Sequence, residues 1–462
     1  MSGASAFPAA ALPPGPPTLA ILTRLAWPVV LSRLGIMAMG VTDAIVVGRY
    51  SAQELAYQSL GWGPTMVIVT TGVGLLFGVQ VLTAQLVGEH RRKEAGAALQ
   101  RGLLLSVIVG GIVALIMGAG ADPIMRLLGF ENDLGRGAAN VMAVLAYSMP
   151  LYLVGVTAAF WLEALERPIP GMWVMWGANI LNLALNLWLV PGTSPFAVSG
   201  AVASAWTTLF SRGVYALGLL AVILFWSEAR GLGVFILRRA VSLHTYWGRL
   251  MRIGSATALS YFVESVGFAA MIVMVGWLGG NATATYAIIF NLAGLMFMFP
   301  LGISTATAVL TGEAFGEGSH ENVRRAGLLG IGISVALLLA LSILIVPLRD
   351  GVVGLYTDDL AIRGLAAPIL VLGPLFFPLD GMQVVAAAAL RGMEDAWVPT
   401  LTHIISYTLV MLPLGYLLAH ALGYGLFGIM WTMIIASVAA SAFLFSRFLW
   451  LTRRSAALPA AA

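Results

Sequence analysis

The segment GVQVLTAQLVGE at residues 78–89 returns as GISTATAVLTGE at residues 302–313. Glycine begins both copies, glycine and glutamate end them, and mostly small or apolar residues lie between. Shorter matches recur at a slightly longer displacement, since VVG ends at Gly48 and MVG ends at Gly276. Together these matches predict that the chain consists of two similar halves, one after the other.

The composition of the chain excludes a soluble globular protein. Charged residues make up 10% of the 462 residues, hydrophobic residues make up 60%, and the mean hydropathy is +0.94. A soluble domain carries roughly 25% charged residues because it must cover its surface with them. The net charge of +4 comes from basic residues in short gaps between apolar runs, which favours a membrane surface over nucleic acid. Cysteine is absent, which excludes disulfides and thiolate chemistry.

Apolar runs of roughly 20 residues or more predict membrane-spanning helices. The twelve predicted spans are 19–48, 53–87, 96–120, 137–163, 169–191, 198–226, 248–278, 283–312, 323–347, 363–391, 397–420 and 425–451. Since each half then holds six helices, both halves keep the same orientation, and a cavity is expected at their interface. The predicted organisation is a disordered tail (1–18), an N-terminal six-helix bundle (19–226), a cytoplasmic linker (227–247), a C-terminal six-helix bundle (248–451) and a C-terminal tail (452–462).

Basic residues predict the orientation of the chain in the membrane. The N-terminal segment, the even-numbered gaps, the linker and the C-terminal end hold 17 basic residues, against five on the other side. Loops rich in Lys and Arg stay in the cytoplasm. Both termini are therefore predicted to be cytoplasmic.

Charged residues inside the predicted spans each cost at least about 2.5–3.5 kcal/mol at the bilayer centre. Five of these residues stand out: Arg33, Asp43, Arg212, Glu264 and Asp380. The acids have uncharged counterparts in the other half, so we assign them to individual sites rather than to the shared scaffold. Gln383 shares a helix face with Asp380. Asp380 and Glu264 can bind Na⁺, take up H⁺ or neutralise an organic cation, whereas the alternative pairs them with Arg33 or Arg212.

A second polar group is predicted around Asp43. Asn182 and Asn186 are four residues apart on one helix face, so that with Asp43 they can form an oxygen site for Na⁺ or H⁺. The alternative is that they form hydrogen bonds that only stabilise helix packing. Hydroxyl groups on the sixth span that can add ligands belong to Ser204, Thr207 and Thr208. Pro28 removes a backbone hydrogen bond in the first span and is expected to kink it.

Motifs for ATP use or catalysis are missing from the chain. It contains no GxxxxGK nucleotide loop, no HExxH metal motif and no GxSxG nucleophile elbow. Direct pumping by ATP, enzymatic catalysis and a cofactor are therefore not expected. An internal repeat with buried acids favours a transporter, whereas a membrane scaffold or receptor needs no buried acids.

In five segments the chain resembles the MATE (multidrug and toxic compound extrusion) family. They are GVTDAIVVGRY (40–50), TAQLVGE (83–89), EALERPIP (163–170), GEAFGEGS (312–319) and LDGMQVVAAAALRG (379–392). The likeness is greatest to the NorM-type bacterial branch, which pairs a Glu of helix seven with an Asp of helix ten, here Glu264 and Asp380. The resemblance implies two six-helix bundles that face each other across a V-shaped cleft. It also implies an ion-site role for Asp43, Asn182 and Asn186.

The predicted function is secondary active multidrug export. In this hypothesis Na⁺ or H⁺ enters in exchange for amphipathic, mainly cationic organic compounds by alternating access, in the inner membrane of a bacterium and as a monomer. The alternative in the same superfamily is a flippase for lipid-linked precursors or polysaccharides, which needs a basic cavity for pyrophosphate. Three acids against two arginines in the predicted interior favour cations. Carboxylates suit either coupling ion, so both stay open.

Overall fold

The structure, a computed structural model, describes residues 16–130, 132–193, 195, 198–234 and 246–454 except the side chain of Arg454. Most of both predicted tails and the central part of the predicted linker lie outside the described residues. Every regular element in the described part is helical. The α-helices are α1 (Leu19–Tyr50), α2 (Ala52–Gly88), α3 (Ala95–Val113), α4 (Ala121–Leu127), α5 (Asp133–Tyr147), α6 (Met149–Ala164), α7 (Ile169–Leu189), α8 (Gly200–Phe225), α9 (Trp247–Gly276), α10 (Gly280–Gly316), α11 (His320–Gly354), α12 (Leu360–Leu370), α13 (Gly373–Gly392), α14 (Trp397–His403), α15 (Leu412–Tyr416) and α16 (Gly425–Arg454).

The number of spans agrees with the sequence prediction. Ten helical segments of the described chain are long and apolar enough to cross a membrane, and the pair α5 and α6, bent by 43°, adds an eleventh. The helix α7 is not among these segments. Its 21 residues are enough to cross a membrane, but three asparagines lower its hydropathy. With α7 the count reaches twelve, and the predicted all-α membrane fold is confirmed.

Two of the predicted spans are not single helices. The span predicted at 137–163 is divided into α5 and α6, and that at 363–391 into α12 and α13. Pro150 and Pro374 stand at the start of α6 and α13, where the missing N–H group of proline is tolerated but the preceding helix cannot continue. The prediction of continuous helices was wrong at these places. Pro28 lies inside α1, which continues through it, and a kink there stays a prediction.

The register of the repeat follows from α2 and α10. Both helices have 37 residues, so they pair from end to end, and Gly88 corresponds to Gly316. The same register pairs Glu166 with Glu394, and the backbone φ is positive at both, at 60° and 65°. The longest sequence match pairs Gly88 with Gly312 instead, and its register is therefore wrong by about one helical turn. Gly, Ala, Val and Thr recur so often in this segment that two registers match.

Helices of the two halves touch most closely at one end of the molecule, called the linker end below. It is formed by the last turns of α2 and α10 and the first turns of α9. A Cβ atom on Gly88 would lie 1.9 Å from the Glu313 carbonyl oxygen, and one on Gly316 would lie 2.4 Å from that of Gln85. Small residues allow membrane helices to approach to backbone contact. Glycine at both equivalent positions therefore permits this contact.

Polar contacts add to the interface at the linker end. Arg249 of α9 donates across the halves to Gln85 Oε1 at 2.9 Å and to Glu89 Oε1 at 2.8 Å. It also donates to Glu394 Oε1, in its own half, at 2.9 Å. Gln85 Nε2 donates to the Gly392 carbonyl oxygen at 2.9 Å, again across the halves. The linker end is thus closed by backbone, hydrogen-bond and ionic contacts.

We expect Gly88→Ala to open the linker end, because the added Cβ cannot fit against the Glu313 carbonyl group. Spin labels on cysteines at the exposed positions Lys93 and His320, one in each half, should show distances shifted to longer values. The matched control is Gly111→Ala, since nothing lies within 4 Å of a Cβ at that position. An unchanged distance distribution in Gly88→Ala would contradict this interpretation.

Candidate functional site

Helices α1, α7 and α8 bring together a polar cluster in the N-terminal half, consisting of Asp43, Asn182, Asn186 and Thr208 and called the N-half cluster. Asp43 is 1% exposed. Its Oδ1 accepts from Asn186 Nδ2 at 2.7 Å, and its Oδ2 accepts from Thr208 Oγ1 at 2.8 Å. Asn186 Nδ2 also donates to Asn182 Oδ1 at 3.1 Å. Two neutral donors therefore hold the carboxylate, and the surrounding helices seal it from solvent.

The N-half cluster has more oxygen acceptors than donors. Asn182 Nδ2 donates to Thr207 Oγ1 at 3.4 Å, while Asn186 Oδ1 and Ser204 Oγ are buried with no hydrogen-bond partner among the described residues. Buried polar atoms usually have a partner. A spare amide oxygen beside a carboxylate suits Na⁺. No group of three or more His, Cys, Asp or Glu in the described part could hold a metal, so a cation here would use amide and hydroxyl oxygens besides Asp43.

A second cluster joins the two acids of the C-terminal half through two neutral side chains. The Tyr407 hydroxyl donates to Glu264 Oε1 at 3.2 Å and accepts from Gln383 Nε2 at 2.8 Å. Gln383 Nε2 also donates to Asp380 Oδ1 at 2.8 Å, as their shared face on α13 predicts. Tyr407 lies in a π-helical segment, Ile404–Met411, and π-helical turns are frequent at functional sites. These four residues are called the C-half cluster.

Aromatic rings line the C-half cluster. The Tyr407 ring lies 5.7 Å from the Phe268 ring and 5.5 Å from the His403 ring, and Phe268 lies 5.9 Å from Phe290. Aromatic faces attract organic cations. Glu264 is only partly buried, in contrast to the sealed carboxylate of the N-half cluster. The C-half cluster therefore combines negative charge with an aromatic surface, and its Glu264 can be reached by a ligand.

The arginines that interrupt the predicted spans do not neutralise the acids of the C-half cluster. Arg33 Nη2 lies 3.5 Å from Glu163 Oε1, and Gln80 Nε2 donates to the same carboxylate at 3.0 Å. Arg212 Nη1 donates to Ser148 Oγ at 2.6 Å. The alternative that pairs these arginines with the two acids is therefore wrong for the described residues.

Sequence reasoning missed three residues near the clusters or buried in the spans, namely Glu163, Arg391 and Tyr407. Glu163 and Arg391 both end predicted spans, where charges are ordinary, yet both are buried. The repeat could have revealed these two residues, because Glu163 and Arg391 occupy equivalent positions in the two halves and both are charged. Tyr407 has no such signal, since tyrosine is common in apolar runs. The expected count of three acids against two arginines was wrong, because Glu163, Arg101 and Arg391 are buried as well. With partly buried Glu264, the described interior then holds four acids and four arginines.

Comparison with known sequences assigns both halves to one family. The sequence profile of the MatE family matches residues 28–188 and 256–417. A protein of Caulobacter vibrioides named "Probable multidrug resistance protein NorM" is 42% identical over 442 residues, which cover 94% of this chain and 93% of that protein. A protein of the same name from Burkholderia pseudomallei is 32% identical over 460 residues, which cover 97% of this chain and 96% of that protein.

Comparison with solved structures gives the same fold. A structure described as "Outward-facing conformation of a multidrug resistance MATE family transporter of the MOP superfamily" matches with a TM-score of 0.88 and 22% identity, over 96% of this chain and 98% of that chain. A structure described as "Crystal structure of eukaryotic MATE transporter AtDTX14" matches with a TM-score of 0.85 and 15% identity, over 94% and 97% of the two chains. The expected arrangement of two helical bundles around a central cleft is confirmed by these similarities.

Proposed function

The chain belongs to the MATE family, and from this premise we propose that it exchanges Na⁺ or H⁺ for amphipathic, mainly cationic organic compounds. Membership makes it a multi-pass membrane transporter of the multidrug type and not an enzyme. The resemblance predicted from the five sequence segments is thereby confirmed. The coupling ion, the charge of the substrates and the orientation of the termini form the proposal.

The observation that carries the proposal is the pair of acids in the C-half cluster. Glu264 and Asp380 are hydrogen-bonded only to neutral side chains within the described residues. An unpaired carboxylate in low-dielectric surroundings is costly. A cation that enters from outside lowers this cost, and an organic cation also gains contact with the rings of Tyr407 and Phe268. The C-half cluster therefore supports alternate binding of a coupling ion and an organic cation.

The N-half cluster supports binding of a small ion only. Asp43 is sealed among three helices, and its nearest neighbours are the side chains of Asn186 and Thr208. Na⁺ would gain the unpartnered Asn186 Oδ1 as a ligand, whereas H⁺ needs only the carboxylate. Both ions remain in the proposal.

The test is transport by purified protein in vesicles under a Na⁺ gradient or an H⁺ gradient, imposed separately. Ethidium should exchange against at least one of the two ions, and an ionophore that collapses the effective gradient should stop the exchange. Exchange under only one gradient would identify the coupling ion. Failure of both gradients to move any of a panel of organic cations would overturn the proposal.

The orientation follows from the uneven distribution of basic residues and places the linker end in the cytoplasm. Ser51 and Ser319 are obvious labelling sites in the sequence, but each caps a helix by accepting a backbone N–H at 3.4 Å. The exposed neighbours Ala52 and His320 are better positions. A cysteine at Ala52 should react with an impermeant maleimide from outside, and one at His320 only after permeabilisation. The opposite pattern would reverse the orientation.

A further inference from the structure

Arg391 is a buried cation close to the C-half cluster. It lies on α13 and is 2% exposed. Its Nη2 donates to Ser260 Oγ at 2.9 Å, and its guanidinium carbon lies 5.5 Å from the centroid of the Tyr261 ring. Ser260 Oγ also lies 2.6 Å from His403 Nδ1. All of these contacts are with neutral groups, and Arg391 Nε has no hydrogen-bond partner in the described part of the chain.

A cation in such surroundings needs a compensating charge. Burial of a guanidinium group without an anion is costly. Ser260 precedes Glu264 by one turn of α9, so the guanidinium group lies near that carboxylate, and the two groups attract each other electrostatically. Among the described residues they do not form a direct ion pair. Arg391 can therefore balance the charge of Glu264 without occupying the oxygen atoms that bind a substrate.

The repeat shows that this arrangement is particular to the C-terminal half. Glu163 occupies the position in the first half that Arg391 occupies in the second, and it is engaged by Arg33 at 3.5 Å. Asp43 is a single acid and has Arg212 as an electrostatic partner. Each of these two acids of the N-terminal half thus has one arginine near it. The C-half cluster has two acids and one nearby arginine, which leaves one net negative charge when all three groups are ionised.

We propose that Arg391 determines the charge of the transported compound by limiting the C-half cluster to one positive charge at a time. The inference rests on the proposed function, namely exchange of an ion for an organic cation at Glu264 and Asp380. One proton, one Na⁺ or one singly charged organic cation neutralises the cluster, so the ion and the substrate exchange one for one. A doubly charged compound leaves one positive charge in low-dielectric surroundings and is disfavoured.

The test compares two compounds of similar shape, N-methyl-phenylpyridinium with one positive charge and N,N′-dimethyl-bipyridinium with two. Gradient-driven transport of each is measured in vesicles with the wild-type protein and with Arg391→Gln. The wild type should prefer the singly charged compound. In Arg391→Gln the cluster carries two net negative charges. The transport rate of the doubly charged compound, divided by that of the singly charged compound, should therefore rise by about tenfold or more.

Two control variants separate charge from structure. Arg391→Lys keeps the positive charge, and its transport ratio should stay near that of the wild type. Arg324→Gln removes an exposed positive charge of α11, and its ratio should not change. A changed ratio in Arg391→Gln that is absent from both controls supports charge selection, which a merely structural role of Arg391 does not predict.

The outcomes distinguish this inference from the proposed function. If the wild type transports the singly charged compound and Arg391→Gln leaves the ratio unchanged, the role of Arg391 is refuted and the proposed function stands. If the wild type transports neither compound nor any other organic cation, both are overturned. If Arg391→Gln does not fold, the wild-type measurement still tests the inference. Equal transport of the two compounds by the wild type refutes charge selection.

Discussion

Neutralising Asp380 to Asn, or Glu264 to Gln, should leave a folded protein that has lost at least about 90% of gradient-driven export, a loss of tenfold or more. The amide oxygen of each variant can still accept the native hydrogen bond, from Gln383 in the first case and from Tyr407 in the second. The shape of the C-half cluster is therefore retained while its charge is lost. Export is measured as dye efflux normalised to monodisperse protein in membranes.

The matched control is Asp350→Asn on α11, because this carboxylate is 79% exposed and lies outside both clusters. Its export should equal that of the wild type. Asp43→Asn should also reduce export, since an amide group would meet donors from Asn186 and Thr208 where the carboxylate now accepts. If a buried acid served stability alone, its amide would be tolerated or preferred. Near wild-type efflux from both C-half variants would refute the mechanism.

The second large effect concerns the buried pair of Arg33 and Glu163. Arg33→Met should destabilise the protein by about 3–5 kcal/mol, because Glu163 then remains buried with Gln80 as its main partner. The double variant Arg33→Met with Glu163→Met should recover most of this loss, since no unpaired charge remains. The measurement is unfolding in detergent, compared in a double-mutant cycle.

The control for this cycle is an exposed ion pair of the same chain. Arg136 lies 2.6 Å from Asp133, and the two side chains are 74% and 79% exposed. Replacing Arg136 by Met should change the stability far less than Arg33→Met does, because solvent screens an exposed ion pair. Equal losses in Arg33→Met and in the double variant would show that the two buried charges do not depend on each other. In that case the pair would not explain why α1 and α6 carry charges inside the membrane.

The sequence by itself determined the class of protein, the spans and most of the candidate site. Long apolar runs stand out against any background because a helix must hide about 20 residues from water to cross a bilayer. For the same reason Asp43, Glu264 and Asp380 are conspicuous, since a charge inside such a run is expensive. The helix period placed Asn182 and Asn186 on one face without any tertiary information.

Only the tertiary structure decided which groups meet. Arg33 and Glu163 are 130 residues apart, and Glu264 and Tyr407 are 143 apart, so no helical period relates the members of either pair. The register of the repeat was likewise decided by α2 and α10, because stretches rich in Gly, Ala and Val match each other at several displacements. An acid inside a span is energetically costly whatever surrounds it, so it can be recognised from the neighbouring sequence alone. Its partner is whichever side chain the packing of distant helices brings within reach, and that depends on the fold.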